Sequence, residues 1–194
     1  MTIGIYGGSF NPVHTGHALL ANFVAQSGKV DEVWLMVSPL NPLKADKKHS
    51  SSLLDNHVRL KMVEMVASEC QGVKASDFEF GLPIPSYTYR TLCSLRESYP
   101  QHRFRLIIGG DNWEEFDRWR NPQEIIEEFG VLIYPRPGHE VGGPLPAGVE
   151  VLEGVPTAEI SSTMVREMVK DGKNINFLVP LCVARHIEEM GYYR

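Results

Sequence analysis

Ile3-Gly4-Ile5-Tyr6-Gly7-Gly8-Ser9-Phe10-Asn11-Pro12-Val13-His14-Thr15-Gly16-His17 is the stretch whose reading decides the fold. The apolar run from Ile3 to Tyr6 predicts a buried strand over residues 2–6. A helix is expected over residues 17–28, with Leu20, Phe23 and Val24 at helical spacing and Gly28 as its stop. Between the two lie glycines and a pair of histidines at the mouth of the helix. Glycine lets backbone amides approach a ligand closely. A helix N-terminus offers unpaired N–H groups and a partial positive charge, which suits phosphate. Two imidazoles added to that setting point to chemistry on a phosphate. The other reading of His14 and His17 is a metal pair. Zinc takes three or four protein ligands, whereas His49, His57, His102, His139 and His186 are scattered and Cys70, Cys93 and Cys182 show no paired spacing.

Outward from this segment the same alternation continues. Val33 to Val37 is a second continuous apolar strand, followed by a loop over 38–52 that carries Lys44, Lys47 and Lys48. A helix is expected over 53–68 with Leu54, Val58, Met62, Met65 and Val66 on one stripe, then a weaker strand over 73–80. Prolines break the pattern at 82–86. Helix 89–99, strand 105–108 closed by Gly109-Gly110, a short helix 111–116, helix 122–129 and strand 131–134 follow. A glycine- and proline-rich loop over 138–146, a strand over 149–152 and helices over 161–171 and 180–190 complete the chain. Apolar strands alternating with helices predict an α/β fold: a doubly wound, Rossmann-like parallel sheet in three α/β/α layers, with residues 1–194 as one domain. Ligands of such sheets bind beyond the carboxyl ends of the strands. Segments 7–17, 38–48 and 109–120 each follow a strand and are expected to converge on one cleft.

Composition narrows the function. Hydrophobic residues make up 43% and charged residues 22% of the chain, ordinary for a globular protein. No apolar run is long enough to span a bilayer, and Met1-Thr2-Ile3-Gly4 lacks a basic region and cleavage site, so no secretion or membrane association is expected. Three unpatterned cysteines fit a reducing cytoplasm. A formal net charge of −5 argues against nucleic acid as a partner. A dehydrogenase is disfavoured, because Gly4-Ile5-Tyr6-Gly7-Gly8 is not G-x-G-x-x-G and no acid follows the second strand at Val37-Ser38-Pro39.

A second cluster is Ile160-Ser161-Ser162-Thr163-Met164-Val165-Arg166, where hydroxyls open a helix and an arginine follows about a turn later. Two readings stand side by side: a capped helix with a solvated arginine, or a phosphate grip, for which guanidinium is suited by its permanent charge and bidentate geometry. Lys44 is either solvated or a ligand contact. Trp119 sits among the polar Asp117, Arg118, Arg120 and Asn121, which favours a half-exposed stacking surface over core packing. Trp34, mid-strand, reads as core; Trp113 fits either.

Gly8-Ser9-Phe10-Asn11-Pro12-Val13-His14-Thr15-Gly16-His17 and Ile160-Ser161-Ser162-Thr163-Met164-Val165-Arg166 resemble the two signatures of the nucleotidylyltransferase superfamily. Within it, Ser86-Tyr87-Thr88-Tyr89-Arg90-Thr91-Leu92-Cys93-Ser94-Leu95-Arg96, Gly109-Gly110-Asp111-Asn112, Trp119 and the tail from Gly172 to Tyr193 resemble the bacterial nicotinate-nucleotide adenylyltransferases. The resemblance implies transfer of the adenylyl group of ATP to nicotinate mononucleotide, with Mg2+ accompanying ATP. It implies His14, His17 and Arg166 as catalytic residues. Gly8, Ser9, Phe10, Gly109, Asp111, Ile160, Ser161 and Ser162 would join them around ATP, and Lys44, Thr88 and Trp119 would receive the mononucleotide. Arg90 stands where the family has aspartate, and Leu43 where it often has histidine. Arg136 matches a family arginine without an assigned part. A sibling acting on pantetheine phosphate, a preference for nicotinamide mononucleotide, and a silent nucleotide-binding regulator are the alternatives. Homo-oligomerisation is left open.

Overall fold

A computed structural model describes residues 1–39 and 53–194. Lys44 and most of the expected 38–52 loop, with Leu43, lie outside the described residues. The strands are β1 (Thr2–Gly8), β2 (Glu32–Val37), β3 (Val73–Ser76), β4 (Arg103–Gly109), β5 (Val131–Tyr134) and β6 (Val149–Val151). They form one sheet in the order β3-β2-β1-β4-β5-β6, every pair parallel. The helices are α1 (Thr15–Gln26), α2 (Asn56–Ser68), α3 (Thr88–Ser98), α4 (Gly110–Glu114), α5 (Pro122–Glu128), α6 (Ser162–Lys170) and α7 (Leu181–Met190).

The sheet separates two apolar clusters. One contains Leu20 and Val24 of α1, Met62 and Val66 of α2, Val165 of α6 and Val183 and Ile187 of α7. The other contains Leu92 and Leu95 of α3 and Ile125 and Ile126 of α5. Helices therefore cover both faces, as expected for strands that are apolar throughout. The strand order reverses between β1 and β4. These two strands pair only from Thr2↔Arg103 to Ile5↔Leu106, whereas β1 stays paired with β2 as far as Gly8↔Val37. Beyond Ile5 and Leu106 the sheet splits, and the split is the crevice in which ligands of this architecture bind.

Several boundaries differ from the expectation. β1 runs through Gly7 and Gly8, so the turn is made by the residues after them: Phe10 has φ 43° and Asn11–Pro12 is cis. The weak strand over 73–80 stops at Ser76 and becomes a 3-10 turn, Phe78–Gly81. The buried stripe of α2 is Arg59, Met62, Val63 and Val66: it keeps Met62 and Val66 of the expected stripe, leaves Leu54, Val58 and Met65 half-buried, and buries Arg59, which the expectation did not include. Trp34 is half-buried; it packs edge-on against Tyr99, His102 and Phe104, and its Nε1 donates to Glu32.

Candidate active site

His14 is the N-cap of α1 and His17 its third helical residue. The backbone N–H of His14 donates to Nδ1 of His17 at 3.1 Å. An imidazole nitrogen that accepts carries no proton, so the His17 ring is neutral with its proton on Nε2. The two rings stack, centroids 3.5 Å apart and 22° from parallel. Phe10 packs edge-on against His17 at 5.0 Å and against Tyr6 at 5.8 Å. A left-handed backbone at a phenylalanine is strained; burial of its ring, 1% exposed, against these neighbours offsets the strain. Gly8 is required here, because a Cβ on it would lie 2.9 Å from the Phe10 ring.

His14 is 6% exposed, and burial, followed by the charge of Arg136, lowers its pKa to about 4. It too is neutral near pH 7, and its buried Nδ1 has no hydrogen-bond partner among the described residues. Both rings are thus neutral, each with one N–H to donate. Among the described residues no three His, Cys, Asp or Glu side chains group as metal ligands.

Arg136, which follows β5, is more than a solvated loop residue. It donates to Asp111 Oδ2 at 3.2 Å and to the Tyr134 hydroxyl at 2.9 Å, and the Tyr134 and Tyr6 hydroxyls meet at 3.4 Å. Burial holds the Tyr6 phenol well above its usual pKa, so it stays protonated. Gly109 makes room for this group: a Cβ there would meet Asp111 Oδ1 at 2.3 Å and Arg136 Nε at 3.0 Å.

The second serine-rich cluster meets the first. Ser161 caps α6, accepting from the Met164 N–H at 3.1 Å, so the capping reading holds for that residue. Ser162 Oγ donates to the Pro12 carbonyl at 2.8 Å, and Arg166 donates to the Asn11 carbonyl at 2.8 Å and to Thr163 Oγ1 at 3.2 Å. The start of α6 is therefore fastened to the turn after β1, 150 residues away in sequence.

Arg59 is the residue the sequence reading missed. It is fully buried and donates to the carbonyls of Ser9 (2.5 Å), Ser38 (2.9 Å) and Leu54 (2.9 Å) and to Asn56 Oδ1 (2.6 Å). It fixes the Ser9 loop to the end of β2 and the start of α2. Its signal was present: Arg59, Met62, Val63 and Val66 have i, i+3, i+4, i+7 spacing, so a charge sits on the buried face.

Two cavities open onto these residues, about 560 Å³ and about 300 Å³. Both are lined by His14, His17, Tyr134, Arg136, Ile160 and Ser161, which places the histidine pair at their junction. Gly8, Ser9, Phe10, Gly109, Asp111, Ser162 and Arg166 line the larger cavity near this junction. Ser86, Thr88 and Trp119 line the same cavity. The strap from Val155 to Glu159 closes the smaller one. Trp119 is half-buried and leans on Phe116 at 5.2 Å, and its buried Nε1 has no partner among the described residues. Ser38 represents the second of the three expected segments in the larger cavity. Arg90 lies exposed on α3 and lines neither cavity.

The cytidylyltransferase-like family model matches residues 5–168. The chain is 46% identical over 187 residues to a protein of Bacteroides thetaiotaomicron named a probable nicotinate-nucleotide adenylyltransferase, covering 96% of this chain and 90% of that one. It is 42% identical to a Flavobacterium johnsoniae protein of the same name over the whole of both. The Plasmodium falciparum nicotinic acid mononucleotide adenylyltransferase complexed with NaAD shares the fold, with TM-score 0.81, 19% identity and coverage of 99% of this chain and 97% of that one. With a Rossmann-like sheet, both nucleotidyltransferase signatures meeting at its switch point, and relatives this similar over nearly their full length, the chain belongs to the cytidylyltransferase-like family and, within it, to the nicotinate-nucleotide adenylyltransferases.

Proposed function

We propose that the protein transfers the adenylyl group of ATP to nicotinate mononucleotide, giving deamido-NAD and pyrophosphate. The observation that carries this reading is the neutral His14–His17 pair at the junction of two nucleotide-sized cavities. Adenosine occupies the smaller cavity, and the mononucleotide lies in the larger one with its pyridine ring against Trp119 and Thr88. The triphosphate crosses the junction over the N-termini of α1 and α6.

A phosphate oxygen of the mononucleotide attacks the α-phosphorus in line. The new P–O bond forms as the bond to the bridging oxygen breaks, and pyrophosphate leaves with the electron pair. No enzyme nucleophile is needed, because the attacking phosphate is already anionic. The task of the protein is to hold two anions in register and stabilise the charge that develops. His17 donates from Nε2 to the α-phosphate, and His14 donates to a neighbouring phosphate. Being neutral, both stabilise by hydrogen bonding. Positive charge comes from Arg166 and the two helix N-termini, with Ser9, Ser161 and Ser162 lining the phosphate path. Asp111, oriented by Arg136, accepts from the ribose hydroxyls. Mg2+ arriving with ATP would be placed through the residues proposed to hold the triphosphate, Ser9, Ser161, Ser162 and Arg166, and would supply further neutralisation of its charge. Free Cys70, Cys93 and Cys182 suit a reducing compartment, and we place the enzyme in the cytoplasm.

The test is pyrophosphate release from ATP with nicotinate mononucleotide, nicotinamide mononucleotide and pantetheine phosphate in turn. The first is expected to give the highest kcat/KM. A higher value with either of the others overturns the substrate assignment, and no release with any of them overturns the enzymatic reading.

A further inference from the structure

Tyr6 on β1 and Tyr134 at the end of β5 meet across the crevice, their rings 5.8 Å apart and 74° from parallel. Both are buried, 5% and 7% exposed, and both line the two cavities where they join. Gly109, at the end of β4 between them, leaves the space: a Cβ there would lie 3.1 Å from Cζ of Tyr134. A hydroxyl has one hydrogen to donate and lone pairs that accept. The Tyr134 oxygen accepts from Arg136 at 2.9 Å, and the two hydroxyls face each other at 3.4 Å. Of their two hydrogens, one at most is used between them. The other has no acceptor among the described residues. A buried donor left without an acceptor is costly, so the pair is built for an acceptor that enters the cavity.

The direction of the pair follows from its surroundings. Arg136, which also pairs with Asp111 at 3.2 Å, places its charge on the Tyr134 oxygen. A hydroxyl that accepts from a charged donor becomes a stronger donor itself. Tyr134 therefore donates to Tyr6, and the hydrogen left over is that of Tyr6. Burial keeps the Tyr6 phenol protonated, so this hydrogen is present near neutral pH. The Tyr6 ring stands 6.0 Å from the His17 ring and edge-on to Phe10. Its free hydrogen thus lies beside the histidine to which the α-phosphate was assigned, and an anionic phosphate oxygen is the strongest acceptor a nucleotide offers.

We propose that Tyr6 is a further catalytic residue, donating its phenolic hydrogen to a non-bridging oxygen of the ATP α-phosphate beside His17, and that Tyr134 is its positioning residue. This rests on the reading given under Proposed function. No proton is transferred. Tyr6 keeps its hydrogen throughout, and the hydrogen bond strengthens as charge gathers on the phosphate oxygens.

The experiment measures kcat and KM for ATP, by pyrophosphate release at saturating nicotinate mononucleotide, in the wild type, Tyr6→Phe, Tyr134→Phe and the double variant. Phenylalanine keeps each ring and its packing, and a melting curve reads the fold of each variant. Tyr6→Phe should lower kcat about tenfold or more with KM for ATP within about threefold, as for loss of a donor used mainly in the transition state. Tyr134→Phe should lower kcat less, by about threefold, because Tyr6 stays but loses its orienting partner. The double variant should be no slower than Tyr6→Phe, since nothing is left to orient. A kcat within about twofold of wild type in Tyr6→Phe overturns the proposal, and so does a rise in KM alone, which puts the hydroxyl on a ground-state contact. A double variant slowed by the product of the two single effects removes Tyr134 from the positioning role. Should Tyr6→Phe fail to fold, a crystal structure of the wild type with a non-hydrolysable ATP analogue decides. An α-phosphate oxygen within hydrogen-bonding distance of Tyr6 Oη supports the proposal, and a Tyr6 hydroxyl turned away from that phosphate overturns it. A wild type that releases no pyrophosphate with any mononucleotide overturns the parent reading, a result distinct from an active enzyme indifferent to Tyr6→Phe.

Discussion

Burial and the nearby Arg136 charge hold the His14 pKa at about 4, against about 6.5 for an exposed histidine. Between these values the unfolded chain binds a proton that the folded protein refuses. Folding stability contributed by neutral His14 is thus complete above about pH 6.5 and is lost as pH falls toward 4. The integrated effect is on the order of 3 kcal/mol. Denaturant titrations from pH 7 to pH 4.5 should show this decline in the wild type and a shallower one in His14→Gln. A variant with the same slope would place the proton uptake elsewhere. His17 is a separate case, because the role proposed for it is confined to the transition state. His17→Ala should lower kcat a hundredfold or more while leaving KM for ATP within a few-fold. At this scale the placement of the histidines at a helix entry beside the cavities was legible from sequence, since it follows from their spacing after a strand. Arg136 and Arg59 were less so. A loop arginine and a helical arginine look solvated until tertiary partners are known, and Arg59 finds its acceptors in segments as far away as Ser9.

Turn and helix at the signature are held from three sides, by Arg59 beneath, by α6 across the crevice and by Tyr193, whose hydroxyl donates to Asn11 Oδ1 at 2.9 Å. Arg59→Met should destabilise the protein by about 3 kcal/mol or more, because it strands the carbonyls of Ser9, Ser38 and Leu54 that the buried guanidinium serves. It should also raise KM for ATP by loosening the Ser9 loop. Urea unfolding and steady-state kinetics check the two arms, and a variant of wild-type stability would show that these carbonyls find other donors. Element identity was largely legible, because apolar runs and helical spacing survive in one dimension. Ends were harder. β1 outruns its apolar run because Gly7 and Gly8 keep parallel pairing with Met36 and Val37, a long-range effect. The 73–80 run stops early for the opposite reason, since β3 pairs with β2 only as far as Met36↔Ser76.

Across the whole molecule, the proposed function asks a chain of net charge −5 to take two anionic nucleotides, so its positive groups must be concentrated where the sheet splits. ATP with Mg2+ at a hundredfold excess over its dissociation constant should stabilise the fold by about 2.7 kcal/mol, raising the melting temperature by roughly 5–10 °C. Chelation should abolish turnover yet leave the melting temperature of the substrate-free protein unchanged, because the proposed metal arrives with the triphosphate. A chelator-induced fall in that temperature would reveal a resident metal instead. The doubly wound class was readable from the alternation of elements. The order β3-β2-β1-β4-β5-β6, and hence which segments share a crevice, was not, because parallel neighbours leave no local trace in the chain. The most direct test of the central claim is a crystal structure with a non-hydrolysable ATP analogue and nicotinate mononucleotide. The account predicts adenine in the smaller cavity, the pyridine ring against Trp119, and the α-phosphate within hydrogen-bonding distance of the His17 ring. A triphosphate lying away from both imidazoles would contradict it.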